Sequence, residues 1–524
     1  MGFEGLDSEQ DKINDKTALL SESEGNFNCE SITSSSSVDE IVDSLDIGLF
    51  HYAIFITSGL CHSGYNIFYN IVGFIVITAC DIGINQSNKG WLSISFMVGI
   101  AVGSVVLGKL SDTLGRRKIL IISISVYLIM IVVAAFAYNY TMLVIVASII
   151  GFADSAVAAI SGSYALEFFP RPFRGKLLGC RTAIAVIIGG LYCSLMALII
   201  LPHPLHIKLG QIHFSSWRVY LLVTNIPVLF GFCLLLYMPN SIRFAIVNKD
   251  GIKPILDKID RINSICKRNS SSSEKLIKSR LGDIVIRGDE MDESDTKKQK
   301  GEKLYQQPWL KRLLLLSAAW MGYCFSQEGL IVWLPTVVSY YTIGKRCWHT
   351  YNQTSPSPLN HHLYTNSPVC VSTEQITSVS VNILIGNVLT IPLSIACITL
   401  VNRVGRKWLY IILVFVAVFS IAAMLIIDDI IAVRILVCIF TMVANNGWIP
   451  LTTWTLELFP THVRSTAMGI LNFSAISSCI LGMFVFAELF NLNCTACLIL
   501  FALIGLLGGV ASLFLPDTSD MDIG

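Results

Sequence analysis

The chain has 524 residues, of which 53% are hydrophobic and only 14% are charged, and its formal net charge is +1. Soluble domains carry roughly 25% charged residues, so this composition excludes an ordinary soluble protein. The nearly neutral charge, with no basic stripe along the chain, also argues against a protein that binds nucleic acid.

The first segment, residues 1–47, is acidic and polar and includes the serine run Ser34–Ser37. It has too little apolar surface to offset the entropy of ordering, so we predict a disordered cytosolic tail. Within it, Asp15 is followed by Leu19 and Leu20, which resembles an acidic dileucine sorting signal. This pattern predicts clathrin adaptors as partners of the tail.

Twelve apolar segments follow the tail, each close to the ~20 residues that a helix needs to cross the hydrocarbon core of a bilayer. In lipid a chain must satisfy its own backbone hydrogen bonds, so consecutive segments of this length indicate a helical bundle. We therefore predict an all-α membrane protein with twelve transmembrane helices, called spans 1 to 12 below. They begin near residues 48, 89, 118, 141, 176 and 217, and then near 311, 375, 409, 431, 466 and 495.

Polar stretches divide the spans into two sets of six. Most Lys and Arg residues fall in loops on one face, and because basic residues stay on the cytosolic side, both chain ends are predicted to be cytosolic. The predicted organisation is the tail at 1–47, a six-helix half at 48–239, a cytosolic loop at 240–308, a second six-helix half at 309–515 and a cytosolic tail at 516–524.

The second half contains a polar loop, residues 341–374, on the predicted lumenal or extracellular face. Asn352 begins a sequon for N-glycosylation that ends at Thr354. Cys347 and Cys370 share this oxidising compartment, so they could form a disulfide. The sequence shows no spacing typical of metal ligands, and we predict neither a metal nor a cofactor.

An internal repeat is the strongest signal in the sequence. The segment from Leu166 to Gly179 recurs from Leu456 to Gly469, and the segment from Asp112 to Arg117 recurs from Asn402 to Lys407. Both pairs have the same offset of 290 residues, which two unrelated patterns would rarely share by chance. The repeat predicts two homologous halves in parallel orientation, an arrangement suited to alternating access around a site at the middle of the membrane.

The turn between spans 2 and 3 runs from Gly108 to Lys118 and contains Asp112, Gly115 and two arginines. This turn resembles the major facilitator superfamily and implies its fold. The glycine allows a tight reversal, while the aspartate and arginines can form charge-assisted bonds that hold the cytosolic ends of the halves together. The repeated patterns predict a conformational gate made of Asp112, Gly115, Arg116, Arg117, Glu167, Arg174, Arg406, Glu457 and Arg464.

A closer resemblance is to the synaptic vesicle glycoprotein 2 branch and its organic-ion-transporter relatives. It rests most specifically on the stretch Ser216-Trp217-Arg218-Val219. The chain departs from this branch at four places: the loop after span 7 is short, acids expected in span 1 are replaced near Ser63 and Asn66, Val186 stands for a tryptophan in span 5, and Thr452 stands for an acid in span 10.

Few ionisable residues lie inside the predicted spans, and each costs at least ~2.5 kcal/mol at the middle of the membrane. Glu328 lies within span 7 and Asp154 within span 4. A buried carboxylate can take up a proton, so both residues are candidates for proton coupling or cation binding, with a structural hydrogen bond as the alternative. Arg181 in span 5 is a candidate partner for Asp154, although its side chain could also snorkel to the surface.

Span 10 offers a candidate wall for a solute. Gly447 and the following proline loosen this helix beside two amides and an indole, and the indole of Trp448 offers an apolar or cation-π surface. Packing alone is an equal alternative. The candidate substrate residues, besides the two acids, are Trp448, Asn445, Asn446, Tyr323 and Asn387.

Two functions remain open from the sequence. The first is a carrier of a small organic solute, such as an organic ion, that works by alternating access with protons as the coupling ion. The second is a membrane trafficking or regulatory protein of vesicles that retains the same fold without transport. No P-loop, nucleophile elbow or metal-ligand cluster occurs, so we do not predict an enzyme. The expected location is the plasma membrane or an endosomal or secretory vesicle membrane.

Overall fold

The structure is a computed structural model. It describes residues 48–85, 88–203, 205, 207–209, 212–240, 307, 309–342, 371–401, 403–427, 429–459 and 461–517. The predicted sorting signal at Asp15, Leu19 and Leu20, the sequon at Asn352, and the pair Cys347 and Cys370 lie outside these residues.

Helices make up most of the described chain. In the first half, spans 1 to 4 are Leu49–Thr78, Trp91–Leu114, Arg116–Ala135 and Tyr140–Leu166; span 5 consists of Arg171–Ile187, Ile188–Tyr192 and Cys193–Ile200, and span 6 of Ser216–Thr224 and Ile226–Tyr237. A short antiparallel hairpin, Ile207–Leu209 with Ile212–Phe214, joins spans 5 and 6.

In the second half, four spans are single helices or nearly so, and two are broken. Span 7 consists of Trp309–Tyr323, Cys324–Glu328, Gly329–Ile331 and Leu334–Thr342; span 8 is Thr373–Leu400, span 9 is Arg406–Ile426, span 10 consists of Ile430–Ala444 and Trp448–Leu458, span 11 is Thr461–Leu492 and span 12 is Cys494–Leu513. Among the described residues, eleven segments are long and apolar enough to cross a membrane. Span 7 is the twelfth predicted span. It is not among these eleven segments because it is divided into four shorter helical segments.

The chain forms two compact units. One contains Met1–Phe50, Glu167–Arg171 and Pro239–Glu293, most of which lies outside the described residues. The other contains His51–Leu166, Pro172–Met238 and Ser294–Gly524. Nearly all of the twelve spans therefore belong to a single unit.

The turns between spans 2 and 3 and between spans 8 and 9 have the same backbone geometry. Gly115 has a φ of 92° and Gly405, which is 290 residues later, has a φ of 89°. This left-handed region favours glycine because a Cβ would collide with the backbone. The structure therefore accounts for the glycine at this place in both halves.

One end of the first half is held by a buried arginine. Arg218 is 1% exposed, and one of its terminal nitrogens lies 2.7 Å from Asp81 Oδ2. The other donates hydrogen bonds to the carbonyl oxygens of Ala135 and Ala137, at 2.8 and 2.7 Å. Trp217 Nε1 donates to the second oxygen of Asp81 at 2.7 Å. The Trp-Arg stretch thus joins the ends of spans 1, 3 and 6.

The two halves meet at the same end of the bundle. A methyl group added to Gly73 in span 1 would collide with the carbonyl oxygen of Val332 in span 7. Lys89, just before span 2, is 1% exposed and lies 5.7 Å from the centre of the Trp333 ring. Because this end holds the loop between spans 1 and 2, it is the predicted lumenal or extracellular face.

Lys89 should make stability depend on pH. Burial lowers the pKa of Lys89 from 10.5 to about 7, and the nearby Cys497 and Glu488 oppose this shift. The unfolded chain therefore binds more protons than the folded chain between pH 7 and about 10, so stability should rise with pH across this window. We expect the melting temperature to be higher at pH 9.5 than at pH 7, and this difference to shrink in Lys89→Met but not in Lys118→Met, which removes an exposed lysine. An equal pH dependence in all three proteins would contradict the assignment.

Candidate functional site

The carboxylate of Glu328 lies inside the second half. Glu328 ends the segment Cys324–Glu328, where span 7 widens into a π-helix, and it is 6% exposed. Single π-helical turns often mark functional sites because they turn side chains away from regular helical packing. Trp448 Nε1 donates a hydrogen bond to Glu328 Oε1 at 2.5 Å, and the Tyr323 hydroxyl lies 3.3 Å from the same oxygen. An acid, an indole and a phenol from spans 7 and 10 therefore form one cluster.

Ring contacts fix the indole of Trp448. Its ring centre lies 5.1 Å from that of Trp320 and 5.6 Å from that of Tyr323, both in edge-to-face arrangements. The Tyr323 hydroxyl donates to the carbonyl oxygen of Ala444 at 2.5 Å, which holds the phenol against span 10. Such pairs add stability beyond their buried area, so the partner of Glu328 has a defined position.

The acid cluster also contacts the first half. The hydroxyl of Tyr69 in span 1 donates a hydrogen bond to the backbone carbonyl oxygen of Glu328. Tyr65, one helical turn earlier, stacks on Tyr69 with ring centres 5.8 Å apart. Spans 1, 7 and 10 therefore meet at Glu328, where a motion of one half against the other would change its surroundings.

Gln327, which precedes Glu328, was not among the sequence candidates. Its side chain is 0% exposed, and neither the amide nitrogen nor the amide oxygen has a hydrogen-bond partner in the described structure. An unsatisfied buried amide is costly, and a ligand or an ordered water could satisfy it. The sequence signal that could have identified Gln327 is a second polar residue beside an acid in an apolar span.

Asp154 lies apart from this cluster, within the first half. It is 1% exposed, and its Oδ2 atom has no hydrogen-bond partner in the described structure. A Cβ on Gly64 would lie 3.1 Å from its Oδ1 atom and 3.4 Å from the Tyr127 ring, so Asp154 faces spans 1 and 3.

The predicted pairing of Arg181 with Asp154 is wrong. Arg181 Nη1 donates instead to the hydroxyl of Ser161 at 2.8 Å. Ser161 follows Asp154 by seven residues in the same helix, a rise of about 10 Å at 1.5 Å per residue. This axial separation puts the carboxylate beyond the reach of the guanidinium.

A narrow cleft, which in this conformation has room for about one water molecule, lies between the halves. Asn387 and Asn445, both predicted as substrate residues, are in its wall. The cavity joins span 1 to spans 7, 8 and 10, and its lining is Asn70, Phe74, Ile331, Leu334, Pro335, Ile383, Asn387, Thr441 and Asn445.

Two of the predicted asparagines also join helices. Asn387 Nδ2 donates to the carbonyl oxygen of Gly190 at 3.1 Å and to Ser194 Oγ at 2.7 Å, which links span 8 to span 5. Asn446 accepts a hydrogen bond from Ser394 Oγ at 2.7 Å, which links span 10 to span 8. Asn387 thus borders the cavity while bonding across the halves, whereas Asn446 is held within the second half.

The predicted gate is described only in part. Arg406 lies 2.7 Å from Glu457, with side chains 16% and 12% exposed, so the second-half turn forms the charge pair that its residues suggest. Arg117 donates to the carbonyl oxygen of Leu236 at 2.8 Å, and Glu167 is 8% exposed. Arg116 is partly exposed, and the side chains of Asp112, Arg174 and Arg464 lie outside the described part of the structure.

Comparison with known proteins shows what the chain resembles. The family model described as Major Facilitator Superfamily matches residues 54–483, which is more than half of the chain. Human synaptic vesicle glycoprotein 2B is 27% identical over 331 residues, covering 58% of this chain and 47% of that protein. Human synaptic vesicle glycoprotein 2A is 27% identical over 315 residues, covering 56% and 42%. The chain therefore matches less than half the length of these relatives.

Among solved structures, the xylose transporter XylE from E. coli in a partially occluded inward-open conformation has a TM-score of 0.63. It is 16% identical and covers 90% of this chain and 99% of its own. The inward-open form of the same transporter has a TM-score of 0.62 at 17% identity, with coverage of 90% and 98%. The family model and the solved structures confirm the predicted fold class, and the two relatives confirm the resemblance to the synaptic vesicle glycoprotein 2 branch.

Proposed function

Because the chain belongs to the Major Facilitator Superfamily, we propose that it carries a small polar organic solute by alternating access and couples this movement to protons at Glu328. The observation that carries the proposal is the buried carboxylate of Glu328, bonded to Trp448 in span 10 while its backbone bonds Tyr69 in span 1. A carboxylate inside a membrane span is costly to keep and is usually functional. We assign the chain no enzymatic activity and no cofactor.

The proposed solute site is the cavity between the halves and its surroundings. Asn387 and Asn445 supply amides to the wall, while the indole of Trp448 lies beside Glu328. The unsatisfied amide of Gln327 supports a solute that carries hydrogen-bonding groups. Rocking of one half on the other would then expose this site to each side of the membrane in turn.

Protonation of Glu328 supplies the coupling in this proposal. A charged carboxylate accepts a strong hydrogen bond from the Trp448 indole, and a proton on the carboxyl group weakens that bond. The contact between spans 7 and 10 would therefore respond to proton binding. Asp154 is the second candidate for proton uptake, because its Oδ2 atom lacks a hydrogen-bond partner in the described structure.

A second candidate function is a vesicle membrane protein that does not transport. The names of the relatives, synaptic vesicle glycoproteins 2A and 2B, favour it. In this case the acidic tail with Asp15, Leu19 and Leu20 would be the functional part, with clathrin adaptors as partners and a vesicle or plasma membrane as the location. The two functions differ in whether the acids inside the spans are needed for a ligand.

The first test is ligand binding by the purified full-length chain against a metabolite library at pH 5.5 and pH 7.4. A ligand at 100 times its Kd stabilises the protein by ~2.7 kcal/mol, which a melting assay detects. We expect at least one solute whose stabilising effect differs between the two pH values. This difference should disappear in Glu328→Gln, which keeps the acceptor for Trp448 but cannot take up a proton.

The matched control is Glu374→Gln, which neutralises an exposed acid at the start of span 8. It should behave like the wild type. A pH-dependent ligand effect that survives in Glu328→Gln would remove Glu328 from the coupling role. No stabilising solute at either pH, with a folded protein, would contradict the carrier and favour the second candidate.

A further inference from the structure

Two basic side chains of the first half, Arg181 in span 5 and His62 in span 1, take no part in the proposed coupling. Arg181 is 8% exposed, and its Nε atom has no hydrogen-bond partner in the described structure. The Nδ1 atom of His62 in span 1 also lacks one. A Cβ added to Gly59, three residues before His62, would lie 3.1 Å from Ile184, three residues after Arg181, so the two segments pack together. Both side chains therefore have unused hydrogen-bonding capacity in a region where spans 1 and 5 pack together.

The surroundings of the pair contain neutral groups. Arg181 Nη1 bonds the hydroxyl of Ser161, and the guanidinium lies against Gly162, where an added Cβ would be 3.0 Å from its central carbon. Ser58 in span 1 donates to the carbonyl oxygen of Ser161 at 2.9 Å. Asp154, the acid in the same helix as Ser161, is about 10 Å further along it.

The described surroundings of Arg181 contain no anion, although a buried guanidinium normally pairs with one. A charged group inside a membrane span is usually neutralised by a partner or by the transported species. Among the described residues no carboxylate forms an ion pair with Arg181, and the hydroxyl of Ser161 does not compensate its charge. The missing negative charge can therefore be supplied by a ligand.

We propose that Arg181 and His62 bind an anionic group of the carried solute: a carboxylate, sulfonate or phosphate. This inference rests on the proposed carrier function and specifies its substrate class. The planar guanidinium can donate two parallel hydrogen bonds to two oxygens of such a group, and its Nε atom is one of the unused donors. His62 Nδ1, in the tautomer that carries the proton there, is a further donor. Gly162 lets the backbone of span 4 pack against the guanidinium, whereas any larger residue would press on it.

The test uses pairs of similar solutes, each an acid with an uncharged amide or ester of it: benzoate with benzamide, succinate with succinamide, and methylphosphonate with dimethyl methylphosphonate. Their affinities for the purified full-length chain are measured from melting temperatures over a concentration series. At least one acid should bind while its neutral analogue does not. Arg181→Gln should weaken that binding roughly 10- to 100-fold, and His62→Gln roughly 10-fold, as expected for lost charge-assisted and neutral hydrogen bonds.

The matched control is Arg403→Gln, which removes an exposed arginine and should bind like the wild type. If Arg181→Gln does not fold, Arg181→Lys is the test variant. It keeps the positive charge but loses the parallel donors of the guanidinium, so it should bind the acid roughly 10-fold more weakly. Binding of an acid that is unchanged in Arg181→Lys and His62→Gln would overturn the assignment. Binding and transport of neutral or cationic solutes alone would overturn it while leaving the carrier intact, whereas no binding of any solute would overturn both proposals.

Discussion

Replacing Arg218 with alanine is expected to lower the free energy of unfolding by about 3 kcal/mol, because it removes the charge-assisted hydrogen bonds of a guanidinium that is 1% exposed, while Asp81 stays in contact with water. Asp81 would lose its guanidinium partner, and the carbonyl oxygens of Ala135 and Ala137 would lose their donor. The measurement is the unfolding of the purified protein in mixed detergent micelles, followed by far-ultraviolet circular dichroism. Because these bonds join three spans, the loss should appear in the global transition.

Two further variants separate the ion pair of Arg218 and Asp81 from a general effect of charge. Arg403→Ala removes an exposed arginine and should change stability by less than about 0.5 kcal/mol. Asp81→Asn keeps an acceptor for Trp217 but loses the charge, so its cost should lie between those of the other two variants. Equal stability of Arg218→Ala and Arg403→Ala would show that the contacts of Arg218 do not hold the three spans together.

Replacing Gly73 with valine is expected to reduce solute transport at least 10-fold while the protein remains folded. The added side chain would collide with the carbonyl oxygen of Val332 and would also meet the Pro335 ring, where span 1 approaches span 7. The halves could then no longer close at this end, so the equilibrium would shift towards states that are open there. A carrier must visit both states in each cycle, and a shift towards one of them slows the cycle.

The measurement is uptake of the identified solute into proteoliposomes, together with its affinity in detergent. The affinity should change much less than the uptake, since Gly73 is not in the lining of the cavity. Gly469→Val is the matched control: this glycine is exposed on span 11, and an added Cβ meets no atom within 4 Å. Normal uptake by Gly73→Val would contradict the role of the contact between Gly73 and Val332 in closing the predicted lumenal or extracellular face.

The number of spans and their boundaries could be predicted because each crossing requires a long apolar run that a sequence displays directly. The repeat of Gly115 at Gly405 likewise predicted two related turns, and both glycines have positive φ angles. The breaks in span 7 were not predicted. A π-helical turn depends on how the helix packs against spans 1, 10 and 11, which local sequence does not encode.

The site was predictable as a set of residues but not as a set of contacts. Glu328, Trp448 and Tyr323 were each identified from the sequence, yet their hydrogen bonds depend on how spans 7 and 10 cross. Gln327 was missed because an amide in a span carries a weaker signal than a charge. The pairing of Arg181 with Asp154 was wrong because two charges in neighbouring spans say nothing about their relative depth.

The central claim is that the chain carries a solute by alternating access and uses Glu328 to couple the movement to protons. Counterflow in proteoliposomes tests it most directly, with labelled solute outside and excess unlabelled solute inside. Transient accumulation of label is expected for the wild type and for Glu328→Gln, and uptake driven by a proton gradient only for the wild type. A solute that binds the wild type but shows neither counterflow nor proton-driven uptake would contradict the claim.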